Sequence, residues 1–322
     1  MTNQPKETQF QTLNRGYNTV FRPNRLSIGL VVPLETYASS PKPTMVNHLE
    51  RVRLAEQLGF TAVWLRDVPF NVPSFGDAGQ MFDPFVYLGL LAGQTEQIAL
   101  GVSSVILPLR HPAHVAKAAA TADLLSNGRL ILGVASGDRP QEYPALKHTF
   151  EDRGARFRES FAYIRQMSEE WPAFDNHYGQ LNGTIDMLPK PTAKKLPLLV
   201  TGSSRQDPNW IAQQSDGWMI YPRAPYAQDQ IIRDWRKRVS GAGRVAQPVM
   251  QPLYVDLVAD PQAEPQPIHL GFRTGANYLI AYLEALREVG INHVALNLRF
   301  NQAPIETTMA QIANDILPKF GA

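Results

Sequence analysis

The stretch "LSNGRLILGVASGDRPQEY", residues 125–143, decides the fold because it holds a complete passage from a helix end into a buried strand. Asn127-Gly128 has the composition of a tight turn. The apolar run in "RLILGVA" has the length of a strand. "SGDRP" has too little bulk to pack a core and too much polarity to be filler. We therefore expect a functional loop directly after this strand.

The same order of elements recurs along the chain: a helix ends, a glycine follows, and a short apolar strand begins. The other copies are "AEQLGFTAVWLRD" (55–67), "AQQSDGWMIYPR" (212–223) and "REVGINHVALNLR" (287–299). A glycine just past a helix can adopt the left-handed conformation that ends the helix. We expect that conformation at Gly59, Gly128, Gly217 and Gly290.

Eight predicted strands alternate with eight predicted helices, which indicates a closed TIM (β/α)8 barrel of the α/β class. The strands are predicted near 27–33, 60–66, 98–107, 130–135, 198–201, 218–221, 252–258 and 294–299. The helices are predicted near 46–58, 84–94, 112–125, 153–171, 209–214, 227–239, 275–289 and 305–317. A doubly wound open sheet is the alternative, but "GLVVPLE" stands where a G-x-G-x-x-G would follow the first strand.

Two segments interrupt this rhythm. Pro172–Pro197 contains "NHYGQLNG" and "LPKPTAKKLP", which predict a hairpin and a proline-rich connector, inserted between helix 4 and strand 5. Ala259–His269 is predicted to be an irregular loop. We assign residues 25–322 to a single barrel domain. Residues 1–24 are polar, do not resemble a signal peptide, and are predicted to form an N-terminal arm on the surface or on a partner subunit, with a frayed tail over 1–10 as the alternative.

Composition excludes several classes of function. The formal net charge is +2, which favours neither nucleic acid nor an anionic membrane as partner, and no apolar run is long enough to span a bilayer. The absence of cysteine excludes disulfides, thiolate nucleophiles and cysteine metal sites, and it fits a cytoplasmic protein. His111 and His114 stand three residues apart without a carboxylate cluster, so no metal site is expected.

Strand ends then supply the candidate site, because parallel barrels carry their sites at the C-terminal ends of the strands. After strand five, "TGSSRQDPNW" offers Ser203, Ser204 and backbone N–H groups to a phosphate at the start of the next helix, or it forms an ordinary helix cap. Arg153 begins a helix, where its charge opposes the dipole, so it requires an external anion or a carboxylate such as Asp152. Asp123 and Arg129 are expected to pair across the turn before strand four.

Five segments of the chain resemble the bacterial luciferase-like flavin monooxygenase family. They are "AEQLGFTAVWLRD", "IALGVSSVILPLRHPAHVAKAAATADLLSNGRLILGVASGDRPQEY", "EDRGARFRES", "LPLLVTGSSRQDPNWIAQQSDGWMIYP" and "GINHVALNLRF", and they span most of residues 27–300. The combination of "RHP" with D-x-L-S-x-G-R is specific to that family. The resemblance implies a barrel, usually dimeric, that binds flavin at its mouth. In members of that family, the reduced flavin is delivered by a separate reductase, or a deazaflavin coenzyme transfers hydride.

The resemblance also implies roles for individual residues. Ser103 and Ser104, at the end of strand three, would lie under the flavin ring and would be joined by a non-proline cis peptide bond. The loop quoted first would flank the ring or the phosphate through Ala135, Ser136 and Asp138. The phosphate would be bound by Arg153, Ser203 and Ser204.

One departure from the family pattern concerns the end of strand two. The luciferases carry a glutamate and two histidines there, one of which is catalytic, whereas this chain has Arg66, Asp67 and Val68. Asp67 is therefore the candidate catalytic residue, as a hydrogen-bonding group for substrate or as a base. The alternative is a structural role in which Asp67 pairs with Arg66 or with a neighbouring helix end.

The sequence thus predicts an FMN-dependent two-component monooxygenase that acts on a small organic substrate. A deazaflavin-dependent dehydrogenase, a non-catalytic flavin-binding protein and a flavin-free barrel lyase are the alternatives. The expected partners are a separate flavin reductase and a second copy of the chain, packed through the helices at 84–94 and 112–125. Aromatic residues in the mouth loops predict an apolar pocket: Tyr37, Phe70, Phe75, Phe82, Tyr221 and Tyr226.

Overall fold

Eight parallel strands close into a barrel in the computed structural model, which describes residues 9–321. The strands of the described chain are β1 (Ser27–Val31), β2 (Ala62–Leu65), β3 (Ala99–Ile106), β4 (Leu130–Ala135), β5 (Ala173–Asn176), β6 (Gly179–Asn182), β7 (Leu198–Thr201), β8 (Gly217–Met219), β9 (Val249–Leu257), β10 (Gln266–Ile268), β11 (Gly271–Thr274) and β12 (His293–Asn297). The barrel order is β1-β2-β3-β4-β7-β8-β9-β12, and the parallel pair of β12 with β1 closes it. The predicted TIM barrel is confirmed.

Helices surround the barrel on its outside, except the first, which lies under the end at which the strands begin. They are α1 (Arg15–Val20), α2 (His48–Gln57), α3 (Pro84–Ala92), α4 (Pro112–Leu125), α5 (Glu142–Ala145), α6 (Arg153–Gln166), α7 (Pro208–Gln214), α8 (Pro225–Gly241), α9 (Ala276–Val289) and α10 (Ile305–Gln311). All eight predicted helices are present, although the helix predicted to reach 171 ends at Gln166. No helix within residues 9–321 is both long and apolar enough to cross a membrane.

The glycine pattern holds at three of its four positions. Gly59, Gly128 and Gly290 have φ values of +88°, +75° and +99°, which is the left-handed conformation expected after a helix. Gly217 was expected to do the same, and this prediction is wrong because Gly217 is the first residue of β8. A Cβ at Gly217 would lie 3.1 Å from the Leu199 side chain, so close packing explains the glycine there.

Two short hairpins accompany the barrel. β5 and β6 pair antiparallel between α6 and β7, as predicted for that stretch, while its status as an insertion stays a prediction. β10 and β11 form a second hairpin after β9, and β11 pairs parallel with β9. The prediction of an irregular loop over Ala259–His269 is wrong at its end, where β10 forms. Pro267 lies in β10, at the edge of the sheet, where a missing N–H is tolerated.

The N-terminal segment closes the end of the barrel at which the strands begin. Tyr17 and Phe21 are buried and pack with Trp64 and Ile131, whose side chains belong to the barrel interior. The Tyr17 hydroxyl donates a hydrogen bond of 2.7 Å to the carbonyl of Asp216, just before β8. Within the predicted arm, Phe10, Tyr17 and Phe21 are therefore buried under the barrel rather than spread on the surface, whereas Thr12, Arg15 and Thr19 are exposed. Residues 1–8 of that arm lie outside the described residues, and its boundary at residue 24 stays a prediction.

Asp123 and Arg129 do not pair, so that expectation is wrong. The Arg129 guanidinium is buried and donates to the carbonyls of Ala92, Thr95 and Ile98, which fixes the end of α3. Asp123 instead accepts a hydrogen bond of 2.7 Å from the Asn14 side chain and so holds the start of α1. These two members of the D-x-L-S-x-G-R motif therefore stabilise the fold by fixing the ends of neighbouring helices.

Buried small and large side chains fill the barrel interior near the N-terminal ends of the strands. Trp64 occupies the interior, and Gly101 makes room for it, because a Cβ there would lie 2.2 Å from the indole ring. The indole Nε1 donates to Nε2 of His293 at 2.8 Å, and Nδ1 of His293 lies 2.7 Å from the Ser27 hydroxyl. Burial lowers the pKa of His293 to about 3, so the ring is neutral. The cleft described below lies above this packing, at the C-terminal ends of the strands.

Candidate active site

A cleft of about 550 Å³ lies at the C-terminal ends of the barrel strands. That volume is within the ~300–1,000 Å³ typical of small-molecule sites. All nine residues singled out from the sequence line it: Asp67, Ser103, Ser104, Ala135, Ser136, Asp138, Arg153, Ser203 and Ser204. The barrel therefore brings together residues that are up to 137 positions apart in the chain, from Asp67 to Ser204.

One end of the cleft is formed by the β7–α7 loop and the start of α6. Gln206 joins these two segments, since its Nε2 donates to the Gly154 carbonyl at 2.7 Å and its Oε1 accepts from Arg158 at 2.9 Å. Gly154 is needed for this approach, because a Cβ there would lie 2.9 Å from the Cβ of Arg205. The loop and the helix start consequently form one rigid wall.

Arg153 lies on that wall and has no carboxylate partner within ion-pair distance among residues 9–321. Its guanidinium lies 3.5 Å from the centre of the Phe150 ring, and Nη1 donates to the Phe150 carbonyl at 2.7 Å. Nε is buried and has no hydrogen-bond partner in the described chain. The expected alternative, an ion pair with Asp152, is not formed. Arg153 is thus a fixed positive charge with N–H groups still available to bind an external anion.

The serines of the β7–α7 loop face the same end. The Ser204 hydroxyl donates to the Thr201 carbonyl at 2.7 Å, while Ser203 is exposed and its Oγ accepts from the Arg205 N–H at 3.3 Å. The start of α7 is capped by Asp207, which accepts the Asn209 N–H. An anion would therefore contact the loop and the start of α6, rather than the positive end of α7 as the sequence suggested.

The floor of the cleft is the Ser103–Ser104 pair at the end of β3. The peptide bond between the two serines is cis, as expected from the family resemblance. The ladder between β3 and β4 shifts register between Val102 and Val105, so the pair interrupts regular pairing. The Ser104 hydroxyl is hydrogen-bonded to the Thr201 hydroxyl, whereas Ser103 is half-buried at the cleft surface. A polar backbone edge is thereby presented to whatever the cleft binds.

The loop after β4 forms a side wall. Gly137 has a φ of +78°, and a Cβ there would lie 2.7 Å from the Tyr143 hydroxyl. That hydroxyl donates to the Ser136 carbonyl, which fixes the loop over the start of α5. Asp138 is exposed at the cleft mouth. Glycine at 137 is thus required both for the turn and for the space.

Asp67 is buried, with a side chain that is 1% exposed, and both of its oxygens are engaged. Its carboxylate accepts two hydrogen bonds from Arg110, at 2.8 and 2.9 Å, and one from the Ile106 N–H at 3.1 Å. Arg110 also pairs with Asp83 at 2.7 Å. The predicted alternative of a pair between Asp67 and Arg66 is wrong, because Arg66 pairs with Asp77. The geometry supports a positioning role for Asp67 at the ends of β2 and β3.

A group that the sequence analysis missed lines the cleft on the side of β1, β2 and β12. Asp77 lies 2.8 Å from Arg66 and 2.9 Å from Arg299, and it accepts a hydrogen bond of 3.1 Å from the Tyr37 hydroxyl. Burial raises the pKa of Asp77, but the hydrogen bond and charge of Arg66 outweigh this effect and lower the pKa below its usual range. Two arginines with one aspartate give this wall a net positive charge. Its members come from three separate loops, so no local motif announces them.

Glu142 is the second residue that the sequence analysis missed. It lies in α5, is 2% exposed, and lines the cleft. Its Oε1 is buried without a hydrogen-bond partner among the described residues. Burial raises the pKa of Glu142 to about 7, despite the opposing charge of Arg139. The quoted stretch contains this residue, but nothing local distinguishes it from a surface glutamate.

The aromatic residues expected around the pocket divide into two groups. Phe75 and Tyr221 line the cleft, and Tyr254 joins them from β9. Tyr37 is buried behind the lining. The others do not reach the cleft, namely Phe70, Phe82 and Tyr226. No group of three or more histidine, aspartate or glutamate residues within 9–321 is placed to hold a metal ion.

Comparisons with known proteins agree with this architecture. A sequence model of luciferase-like monooxygenases matches residues 26–288. The F420-dependent hydroxymycolic acid dehydrogenase of Mycobacterium tuberculosis is 30% identical over 206 residues, which is 62% of this chain and 54% of that protein. The oxygenase component of the flavin-dependent trigonelline monooxygenase of Acinetobacter baylyi is 30% identical over 169 residues, 51% of this chain and 42% of that protein.

Solved structures show the same fold at lower sequence identity. An F420-dependent secondary alcohol dehydrogenase, in complex with an F420–acetone adduct, superposes with a TM-score of 0.76 at 19% identity. The match covers 92% of this chain and 100% of that chain. The oxygenating constituent of 3,6-diketocamphane monooxygenase from Pseudomonas putida, in complex with FMN, superposes with a TM-score of 0.71 at 13% identity, covering 92% of this chain and 99% of that chain.

Proposed function

The chain belongs to the luciferase-like monooxygenase family, and from this premise we propose that it is an oxidoreductase that binds FMN or a deazaflavin coenzyme in the cleft at the strand ends. The observation that carries the proposal is Arg153, a positioned cation without a carboxylate partner in the described chain, beside the Ser203–Ser204 loop. The phosphate of a flavin is an anion that the Arg153 guanidinium can bind through charge-assisted hydrogen bonds.

The residues of the cleft fit such a coenzyme. The phosphate would be held by Arg153, Ser203 and Ser204, while the ring would lie against the Ser103–Ser104 pair. The side wall of Ala135, Ser136 and Asp138 would flank the ring or the phosphate. The coenzyme supplies the redox chemistry, and the protein orients it, binds its phosphate and excludes water.

The first candidate activity is a two-component monooxygenase that receives reduced FMN from a separate flavin reductase. The resemblance to an oxygenase component supports it. The positively charged wall of Arg66, Asp77 and Arg299 lines the cleft from the loops after β2 and β12, whereas Arg153 lines it from the start of α6. A small organic substrate would bind between this wall and the ring.

The second candidate is a deazaflavin-dependent dehydrogenase. The 30% identity to an F420-dependent dehydrogenase supports it. The end of β2 also favours the dehydrogenase. This chain lacks the histidine that the luciferases carry there, and Asp67 at that place is engaged by Arg110. A flavin-binding protein without turnover is the outcome if the coenzyme binds and neither activity is found.

Two further properties extend the proposal. We place the protein in the cytoplasm and treat it as a homodimer that packs through α3 and α4. Val86 and Leu90 of α3 are exposed one helical turn apart, which gives this face an apolar stripe. Ala119 of α4 is fully buried inside the subunit, so it does not belong to the dimer face.

Titration with the two coenzymes tests the proposed function. Anaerobic addition of reduced FMN and of reduced deazaflavin, in separate experiments, should show saturable binding of at least one of them. Oxygen uptake that depends on reduced FMN and a bound organic substrate would support the monooxygenase. Reduction of the oxidised deazaflavin by a substrate would support the dehydrogenase. Binding of neither coenzyme would contradict the proposal.

A further inference from the structure

We propose that Glu142 is the proton-exchanging catalytic residue of the cleft, through its Oε1 atom, and that the substrate carries a hydroxyl group that is oxidised to a carbonyl. This inference rests on the proposed function, because it requires a flavin-type or deazaflavin hydride acceptor. It adds a catalytic residue that neither the sequence motifs nor the comparisons assign, while the substrate class follows the hydroxymycolic acid and secondary alcohol dehydrogenases that the chain resembles.

The placement of Glu142 distinguishes it from the other carboxylates of the cleft. Asp67 is engaged by Arg110, and Asp77 is engaged by Arg66 and Arg299. Glu142 alone among these buried cleft carboxylates has an oxygen without a hydrogen-bond partner in the described chain. Leaving a buried carboxyl oxygen unsatisfied is costly, so such an atom is expected where a ligand group completes its hydrogen bonding.

The charged and titratable groups around Glu142 are mixed in sign. Arg139 favours its ionised form, whereas Asp67 and Asp138 disfavour it. Tyr143, the next residue along α5, interacts electrostatically with Glu142, and burial raises the pKa of the tyrosine hydroxyl. Burial of Glu142 has the largest effect and brings its pKa to about 7. A carboxyl that titrates near neutral pH can both accept and return a proton under working conditions.

The proposed reaction is the oxidation of a secondary or primary alcohol. Oε1 of ionised Glu142 takes the hydroxyl proton, and the electron pair of the broken O–H bond forms the second carbon–oxygen bond. The hydrogen on the same carbon leaves with its electron pair to the oxidised coenzyme. The substrate loses two electrons and becomes a carbonyl compound, the coenzyme gains two electrons, and Glu142 holds the proton until solvent removes it. Reduction of a carbonyl is the reverse sequence, with protonated Glu142 as donor.

The first experiment measures the protonation of the Glu142 carboxyl without any turnover of substrate. Carboxyl signals of protein labelled with 13C at glutamate Cδ are followed from pH 5 to pH 9, with and without oxidised coenzyme. The signal that is missing in Glu142→Gln should titrate near neutrality in the free protein and should shift its midpoint when coenzyme binds. Glu170→Gln is the matched control, because it removes an exposed glutamate that does not line the cleft. A midpoint below pH 5, or one that the coenzyme leaves unmoved, would overturn the proposal.

The second experiment follows reduction of the oxidised coenzyme by a panel of primary and secondary alcohols. Removing a general acid–base group typically costs about 10²–10⁴ in rate, so Glu142→Gln should lose at least 100-fold with its coenzyme affinity kept. Glu142→Asp should recover part of the rate, and Glu170→Gln should keep the wild-type pH profile. An unchanged rate and profile in Glu142→Gln would overturn the assignment. Coenzyme binding without oxidation of any alcohol would overturn the substrate class, whereas absence of coenzyme binding would refute the proposed function itself.

Discussion

The guanidinium of Arg110 donates two hydrogen bonds to the carboxylate of Asp67, through Nη2 at 2.8 Å and Nε at 2.9 Å. This pair joins the end of β2 to the turn after β3, and through Asp83 it reaches the start of α3. The residue expected from the sequence to react is therefore a residue that holds three elements of the cleft in place.

Asp67→Asn tests this structural role. The substitution removes the charge and one acceptor from a buried pair, and hydrogen bonds to charged groups contribute about 1.5–3 kcal/mol. We expect urea unfolding to show a loss of about that size, with coenzyme affinity little changed. Asp83→Asn is the control, because asparagine keeps the helix cap and the lost ion pair is exposed, which is worth only about 0–1 kcal/mol. Full stability with abolished turnover would instead show that Asp67 reacts.

The neutral state of His293 predicts how stability depends on pH. Its pKa in the folded protein is about 3, whereas an unfolded histidine titrates near about 6.5. The unfolded state therefore binds the proton first, and the free energy of unfolding should fall as the pH drops from about 6.5 towards 3, by at most about 1.4 kcal/mol per pH unit. Urea melts at pH 7.5 and 5.0 measure the loss.

Nitrogen NMR of the His293 ring gives an independent check. Nε2 accepts the Trp64 indole hydrogen, so the ring proton must lie on Nδ1, beside the Ser27 hydroxyl. We expect this tautomer to persist unchanged between pH 8 and pH 5. A ring that becomes doubly protonated near pH 6.5 would contradict the assignment.

Val86→Glu tests the proposed dimer face on α3. Val86 is 76% exposed in the single chain, and two-fold symmetry would bring two added charges into the interface. We expect sedimentation to show a dimer for the unmodified protein at micromolar concentration and at least a tenfold weaker association for the variant. Val245→Glu is the matched control, since Val245 is 54% exposed and lies in the segment between α8 and β9. Equal behaviour of the two variants, or an unmodified monomer, would exclude this face.

Gly137→Ala tests the requirement for space beside Tyr143. Alanine there combines a φ of +78° with a Cβ 2.7 Å from the tyrosine hydroxyl and 2.8 Å from the Ile106 side chain. Gly243→Ala provides the control, because it has a φ of +68° with no atom within 4 Å of the new Cβ. The control should lose only the conformational penalty of about 1–2 kcal/mol. Gly137→Ala should lose more than the control and should weaken coenzyme binding as well, and similar losses for both would show that contact is unimportant.

Local pattern was enough to predict the barrel, because each βα unit carries its own periodicity and its own turn. The same reasoning misplaced the N-terminal segment. "NRGYNTVF" is polar apart from a few residues, and only the three-dimensional structure shows that Tyr17 and Phe21 pack into the open end of the barrel. Burial of a short segment against distant strands leaves no periodic signal.

Candidate site residues at strand ends could be predicted in the same way, since barrel topology gathers the loops that follow the strands. Their partners could not. Asp67 pairs with Arg110 and Asp77 with Arg299, 43 and 222 positions away, and these choices depend on how the loops pack. Glu142 likewise accepts a backbone hydrogen bond from Phe70, which lies in the loop after a different strand.

Arg153→Ala offers the most direct test of the central claim, that the cleft binds a flavin-type coenzyme by its phosphate. A hydrogen bond to a charged group contributes about 1.5–3 kcal/mol, so FMN affinity should fall at least about tenfold. Riboflavin, which lacks the phosphate, should bind the variant and the unmodified protein equally. Arg156→Ala is the control, because Arg156 lies one turn further along α6 and outside the cleft lining. The account predicts a loss for FMN with Arg153→Ala alone, and equal losses for FMN and riboflavin would contradict it.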